Sequence, residues 1–330
     1  MRPARHSSIW SLRAAATAAA AALILAPAVA SAQAWPAKPV RIIVPAGAGG
    51  AADVLIRTIA DPLSAALGTP LSVENRPGAG GIIGTEAAIR APADGYTLLL
   101  SSNTLVITPS LYKVSHDVQR DLAPIGSVAT APNLLVASPD LKVKTLQELV
   151  ALARRTNGGL SYGSPAVGSA AHLVVALLGR VSGAEFVHIP FKGGQQATLE
   201  TLAGRVPLTV AGVSNALPHL QGGRLVALAT LGGERSRLVP DIPTPAEAGF
   251  KGVDLSLWFA MFAPTGTPGT VIETINRHLV STLKSPATVG KLEAMGFDPA
   301  ASTPAQLGER MKRDEAAFAK VIRDGGIKAE

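Results

Sequence analysis

Two short stretches carry the residues with the clearest chemical use. Residues 40–53 read VRIIVPAGAGGAAD and residues 191–197 read FKGGQQA. In each, an apolar, β-branched run gives way to a loop with few side chains. A segment with helical character follows; after the first loop, Leu55, Ile56, Ile59 and Ala60 fall on one helical face. A strand that passes through glycines into a helix N-terminus suits an anion, because bare N–H groups point outward and glycine lets a ligand approach closely. The candidate contacts are Ala46, Gly47, Ala48, Gly49, Gly50 and Asp53 in the first stretch, and Gly193, Gly194, Gln195, Gln196 and Ala197 in the second. Asp53 falls in a first helical turn, where a negative charge suits the helix dipole. From Gly47 the third glycine of a G-x-G-x-x-G pattern would fall on Ala52, and no Lys-Ser/Thr pair follows as in a P-loop. Dinucleotides and nucleoside triphosphates are therefore disfavoured. Either loop alone reads equally well as an ordinary chain reversal. Their repetition suggests one anion bridging two helix ends.

The elements that must position these loops alternate between strand and helix. Residues 96–102 (YTLLLSS) read as a buried strand with Ser101, Ser102, Asn103 and Thr104 at its C-terminal edge, where open parallel sheets bind ligands. Residues 123–139 and 253–264 are two long extended stretches between sets of βα units. They predict an α/β protein of two lobes. Residues 33–126 form the first part of lobe 1, 127–253 form lobe 2, and 254–330 return to lobe 1. Small ligands commonly bind in the cleft between such lobes.

The first 32 residues have the form of a secretory signal peptide. Arg2, Arg5 and Arg13 precede an alanine-rich apolar run, and Ala30-Ser31-Ala32 supplies a cleavage pattern ahead of Gln33. Export to a bacterial periplasm is the expectation. Without those three arginines the chain carries 27 Lys and Arg against 23 Asp and Glu, a net +4 with no basic block. That balance, and aromatics at only 4%, argue against nucleic acid as a partner. The chain has no cysteine, and its histidines show no i, i+4 pair, so no metal or cofactor is expected. His188 reads as a satisfied histidine in a buried strand.

One competing chemistry is present. Gly212-Val213-Ser214-Asn215-Ala216 approaches the G-x-S-x-G nucleophile elbow, with Asp254 and His278 following in triad order. It ends on Ala216 instead of glycine, and no oxyanion motif accompanies it. The alternative is a polar loop in which Ser214 or Asn215 caps the next helix. A secreted serine hydrolase using Ser214 is thus the second reading, and the first assigns no catalytic residue.

The motifs WPAKPVRIIVPAGAGGAAD, NRPGAGGIIGTEAA, DGYTLLLSS, PSLYK, HIPFKGG, NALPHLQGGRLVALA, PDIPTPAEAG and FAPTGTP occur in order across the chain after Gln33. Together they resemble the Bug family, the substrate-binding receptors of tripartite tricarboxylate transporters. The resemblance implies a two-lobed periplasmic-binding-protein fold of type II. It implies a small organic carboxylate held between the two glycine loops, a monomer, and the membrane subunits of such a transporter as partners. Position by position, Ser102, Asn103 and Thr104 look like the polar edge of the first lobe, and Ser164, Gly168 and Ser169 like that of the second. Two positions depart from the family pattern. Ala46 stands where an aromatic is common, and Ala211, followed by Gly212, stands where an Asp is common. The missing acid disfavours a ligand ammonium group, and the missing aromatic leaves room for a bulkier carboxylate.

Overall fold

The computed structural model describes residues 35–191, 193–254 and 256–328, so the signal peptide expected over residues 1–32 lies outside the described residues. The chain divides after Ala37, and the architecture below is that of the unit from Lys38 onward.

β1 (Val40–Val44) has Val40, Ile42, Ile43 and Val44 fully buried, which is why a run of β-branched residues with one arginine becomes an inner strand. It pairs in parallel with β2 (Leu71–Asn75) on one side and β3 (Thr97–Ser102) on the other. β4 (Leu122–Ala131) lies in the same sheet, but β5 (Asn133–Ala137), only Pro132 later, lies in another. The second sheet adds β6 (Leu160–Ser164), β7 (Phe186–Pro190), β8 (Leu208–Gly212) and β9 (Val226–Thr230). The chain then returns through β10 (Leu257–Pro264) and β11 (Asp298–Pro299) to the first sheet. The strand orders are β11-β4-β10-β3-β1-β2 and β7-β6-β8-β5-β9. The first long extended stretch of the sequence therefore changes sheets at Pro132, and the second holds β10, the strand that enters the first sheet after the connection from β9.

Eleven helices complete the described chain: α1 (Ala51–Leu67), α2 (Ile82–Ile89), α3 (Thr104–Leu111), α4 (Val118–Asp121), α5 (Leu146–Arg155), α6 (Ala170–Ser182), α7 (Gly194–Leu202), α8 (Val213–Gln221), α9 (Gly269–Lys284), α10 (Pro286–Ala294) and α11 (Pro304–Asp324). On the first sheet, the buried Trp258 of β10 donates its indole N–H to Asp314 of α11 at 2.8 Å, tying the return strand to the last helix. α11 also reaches the second sheet's side, where Asp324 pairs with Arg180 of α6. The structure corrects one expectation. β7 is an edge strand with Val187 43% exposed, so His188 does not sit in a fully buried strand.

One glycine explains how α2 meets the first loop. A Cβ added at Gly84 would lie 2.7 Å from both the Pro45 Cα and the Arg76 carbonyl oxygen. Only a bare Cα lets the helix seat against the backbone that opens the loop, so α2 fixes where the residues after Pro45 begin.

Candidate functional site

The two glycine loops lie one on each sheet, each at the C-terminal end of a parallel strand: β1 leads into α1, and β7 into α7. Both helices begin without a side-chain cap. α1 opens on Gly50 and α7 on Gly193, with no side-chain hydrogen bond to either end. The helices after β2, β3 and β8 also begin without a side-chain cap, at Gly81, Asn103 and Gly212. By contrast α5, α10 and α11 are capped by Thr145, Ser285 and Thr303. Of the helices that follow parallel strands only α6 is capped, by Ser169. An uncapped N-terminus leaves up to four N–H donors without an intrahelical partner, together with the positive end of the dipole.

Within the first loop the donors are already divided. Gly49 donates its N–H to Asp53 at 2.8 Å, and Gly50 donates to the Gly47 carbonyl at 3.2 Å. Asp53 is 3% exposed and also accepts from the Arg57 Nε at 2.8 Å. Burial pushes its carboxyl upward, but the Gly49 N–H, Asn75 and Arg57 outweigh this and hold it below the ordinary carboxylate value. Asp53 thus shapes the loop through the Gly49 N–H, and no side chain caps the start of α1.

Beside this loop lies a pocket of about 290 Å³, lined by Ala46, Ser102 and Thr104 among the expected residues. Its other walls were not expected from the sequence. They are Gly78, Gly80 and Gly81 before α2, Ile82 and Thr85 on α2, Leu105 and Thr108 on α3, and His116, while Pro45, Ala52 and Ser101, from stretches already singled out, complete the lining. The signal was available in PGAGG, a further glycine loop ahead of a helix. Ser102 Oγ accepts the Thr104 N–H at 3.3 Å and lies 2.9 Å from Thr104 Oγ1. Asn103 does not line the pocket. It is fully buried, and its side-chain amide donates to the Ser256 carbonyl at 3.2 Å, joining β3 to the returning chain.

The second loop's residues divide between surface and core, and none of Gly193, Gly194, Gln195, Gln196 and Ala197 lines that pocket. Gln195 and Gln196 are exposed, whereas Ala197 is fully buried on the inner face of α7. Gly212 caps α8 with its backbone alone, so neither Ser214 nor Asn215 is the N-cap; both lie in the first turn. Ser214 packs against Gly296 and has no hydrogen bond to His278 or any other histidine among the described residues. Among the described residues, Ser214 therefore forms no serine-histidine pair of the nucleophile-elbow kind.

Ser164, Gly168 and Ser169 form a bonded turn. Ser169 Oγ donates to the Ala166 carbonyl at 2.8 Å, and the fully buried Ser164 lies 2.7 Å from His188 Nε2. A Cβ at Gly168 would collide with Leu111 of α3, so the turn already touches the first sheet's side. Here the fold assembles what the sequence left scattered. The His172 and His188 rings stack at 3.8 Å, 8° from parallel, beside Tyr162. His172 Nδ1 accepts the Gly168 N–H at 3.0 Å, which places its proton on Nε2.

Burial first, and then the neighbouring His188, push His172 from the usual 6.5 down to about 4. A histidine kept neutral by the fold works against it in acid. Below 6.5 the unfolded chain gains a proton that the folded chain refuses, so stability falls with pH until about 4 and then levels. The loss is on the order of 3 kcal/mol at most, from about 1.4 kcal/mol per pH unit. His172→Gln should flatten this part of the stability profile, read as urea midpoints across that range. A profile identical to the parent would remove His172 as its source.

With this geometry in place, a family model for the tripartite tricarboxylate transporter family receptor matches residues 55–326. Protein BugT of Bordetella pertussis is 38% identical over 301 residues, covering 90% of this chain and 92% of that protein. A solved R. palustris protein with adipate superposes with a TM-score of 0.74 at 32% identity, over 89% of this chain and 99% of that one. MatC from Rhodopseudomonas palustris with bound malate gives 0.70 at 27%, over 87% and 100%.

Proposed function

The chain belongs to the tripartite tricarboxylate transporter receptor family, a family of periplasmic solute-binding proteins and not of enzymes, and from that premise we propose that it captures a small organic carboxylate between its two glycine loops. Lobe 1 is residues 33–126 together with 254–330, and lobe 2 is 127–253. The carboxylate meets the N-terminus of α1 at residues 46–50 and that of α7 at residues 193–197, with closure of the lobes completing its hydrogen bonds. Ser102 and Thr104 line the pocket that receives the rest of the ligand. The turn at Ser164, Gly168 and Ser169 holds the second lobe's edge in shape. A single observation carries this reading: the helices that leave β1 and β7 have no side-chain cap.

The captured ligand serves uptake through the membrane subunits of a tripartite transporter, or sensing, with the receptor acting as a monomer. Similar proteins with adipate and malate make these two acids the first probes. A thermal-shift screen of mono-, di- and hydroxy-carboxylates tests the reading, with the matching amides as controls. A ligand at a hundredfold excess over its Kd stabilises the folded state by about 2.7 kcal/mol, enough for a clear shift. Shifts from carboxylates and none from amides are expected. Silence from every carboxylate would remove the proposal.

A further inference from the structure

The pocket beside the first loop has hydroxyls on its walls from Thr85, Ser101, Ser102, Thr104 and Thr108, and among the described residues one titratable side chain, His116. That imidazole reaches the pocket from the segment between α3 and α4. Its side chain is only 6% exposed, yet Nδ1 has no hydrogen-bond partner. The nearest acceptor, Glu86 Oε1 on α2, is 3.6 Å away. Glu86 is already engaged, accepting from Ser115 Oγ at 2.6 Å and from Arg90 at 2.7 Å. A buried ring nitrogen whose one acceptor stands beyond hydrogen-bond distance is under-satisfied, and such a group in a pocket wall is a place for a ligand atom.

Two carboxylates, each with an arginine partner, stand around this ring. From α2 it faces Glu86, whose own partner is Arg90. From α4 it feels Asp121, which is paired with Arg120 and accepts the Asp117 N–H. α3 contains no titratable residue, and the loop before α2 contains one, Arg76, which is paired with Glu74. An anion in the pocket would give this ring a further partner, and histidine as a residue type changes charge in the range where solution pH ordinarily varies.

We propose that His116 is the specificity-determining residue of this pocket, selecting a ligand with a second carboxylate and binding it with uptake of one proton from solvent. This rests on the reading that the first carboxylate sits at the glycine loops. The second carboxylate enters beside the hydroxyls, and the imidazolium donates to it. A monocarboxylate fills the same pocket without the proton. The volume, at the lower end of the about 300–1,000 Å³ usual for small-ligand sites, suits a short-chain diacid.

Adipate and its monomethyl ester are the probes, measured by calorimetry at about pH 8 and about pH 6 in two buffers of different ionisation enthalpy. Adipate should tighten by about tenfold toward the lower pH with measurable proton uptake, and the ester should not. His116→Gln and His116→Phe should abolish the pH dependence for adipate and leave the ester's affinity within about twofold, with unfolding midpoints confirming that both variants fold. A histidine that only supports the fold would move those midpoints without separating the two ligands. Equal pH dependence for diacid and ester, or a His116→Gln profile like the parent's, would overturn the assignment. Binding of neither probe at either pH would overturn the glycine-loop reading and the His116 assignment together.

Discussion

Gly193→Val and Gly49→Val should each weaken carboxylate binding by about tenfold to a thousandfold or more while the protein remains folded. Gly193 has φ 150° and ψ 156°, a region that is essentially glycine-only, and Gly49 has φ 77°. Any other residue held in such a conformation costs about 1–3 kcal/mol, and a β-branched one is the least tolerant. A Cβ at either position would meet nothing within 4 Å. The effect therefore comes from the backbone and not from a collision inside the protein. The loop relieves the strain by turning its peptide groups, and both loops are exposed enough to do so without disturbing the core. Turning at Gly193 redirects the first N–H groups of α7. Turning at Gly49 also breaks its 2.8 Å bond to Asp53. Hydrogen bonds to a charged group contribute about 1.5–3 kcal/mol each, so losing one or two weakens binding by about tenfold to a thousandfold or more. Calorimetry with the acid that gives the largest thermal shift reads the affinity, and urea midpoints read the fold. Near-parental affinity in both variants would detach the loops from binding.

The features legible in the sequence were those written over short distances. β1 and its glycine loop stand together in residues 40–53, and the strand's burial follows from its composition. The crossing between two sheets was legible because extended stretches separate two sets of βα units; the first stretch holds the change at Pro132, and the second holds the strand that follows the return. Side-chain surroundings were less so. Asp53 suited a helix N-terminus, but nothing in its neighbours announced that it would take the Gly49 N–H. Asn103 looked like part of a polar strand end, and it is buried because β10 returns beside β3 and supplies the Ser256 carbonyl. His172 and His188 belong to a helix and a strand whose contact depends on how α6 packs on the second sheet. His116 lies in a connecting segment with no periodicity, and only the closing of α2 and α3 around it gives it a pocket. Ser214 resembled a cap because hydroxyls usually cap, yet Gly212 takes that position and leaves the helix end open, as at the other glycine-led helices.

Esterification of the bound acid provides the most direct test of what those open helix ends do. The full methyl ester of the tightest acid should bind about a hundredfold to a thousandfold more weakly than the acid at neutral pH. The ester keeps the apolar body, the carbonyl acceptor and both oxygens, adds a methyl group, and loses the charge and most of the acceptor strength of the alkylated oxygen. Each helix end favours an anion by about 0.3–1 kcal/mol when exposed and about 2 kcal/mol when partly buried. Two such ends, together with the change from charge-assisted to neutral hydrogen bonds, give about 3–4 kcal/mol, which sets the expected ratio. Salt separates this from a general surface attraction. Between unburied charges more than about 10 Å apart the attraction is largely screened at 0.1 M ionic strength, whereas bonds made inside a closed cleft persist. The acid should therefore keep most of its advantage over the ester when salt is raised. Calorimetry on acid and ester at low and moderate salt decides between the two. Equal affinity at both salt concentrations would mean that the glycine-led ends of α1 and α7 are ordinary turns, and that selection for the carboxylate lies elsewhere in the cleft.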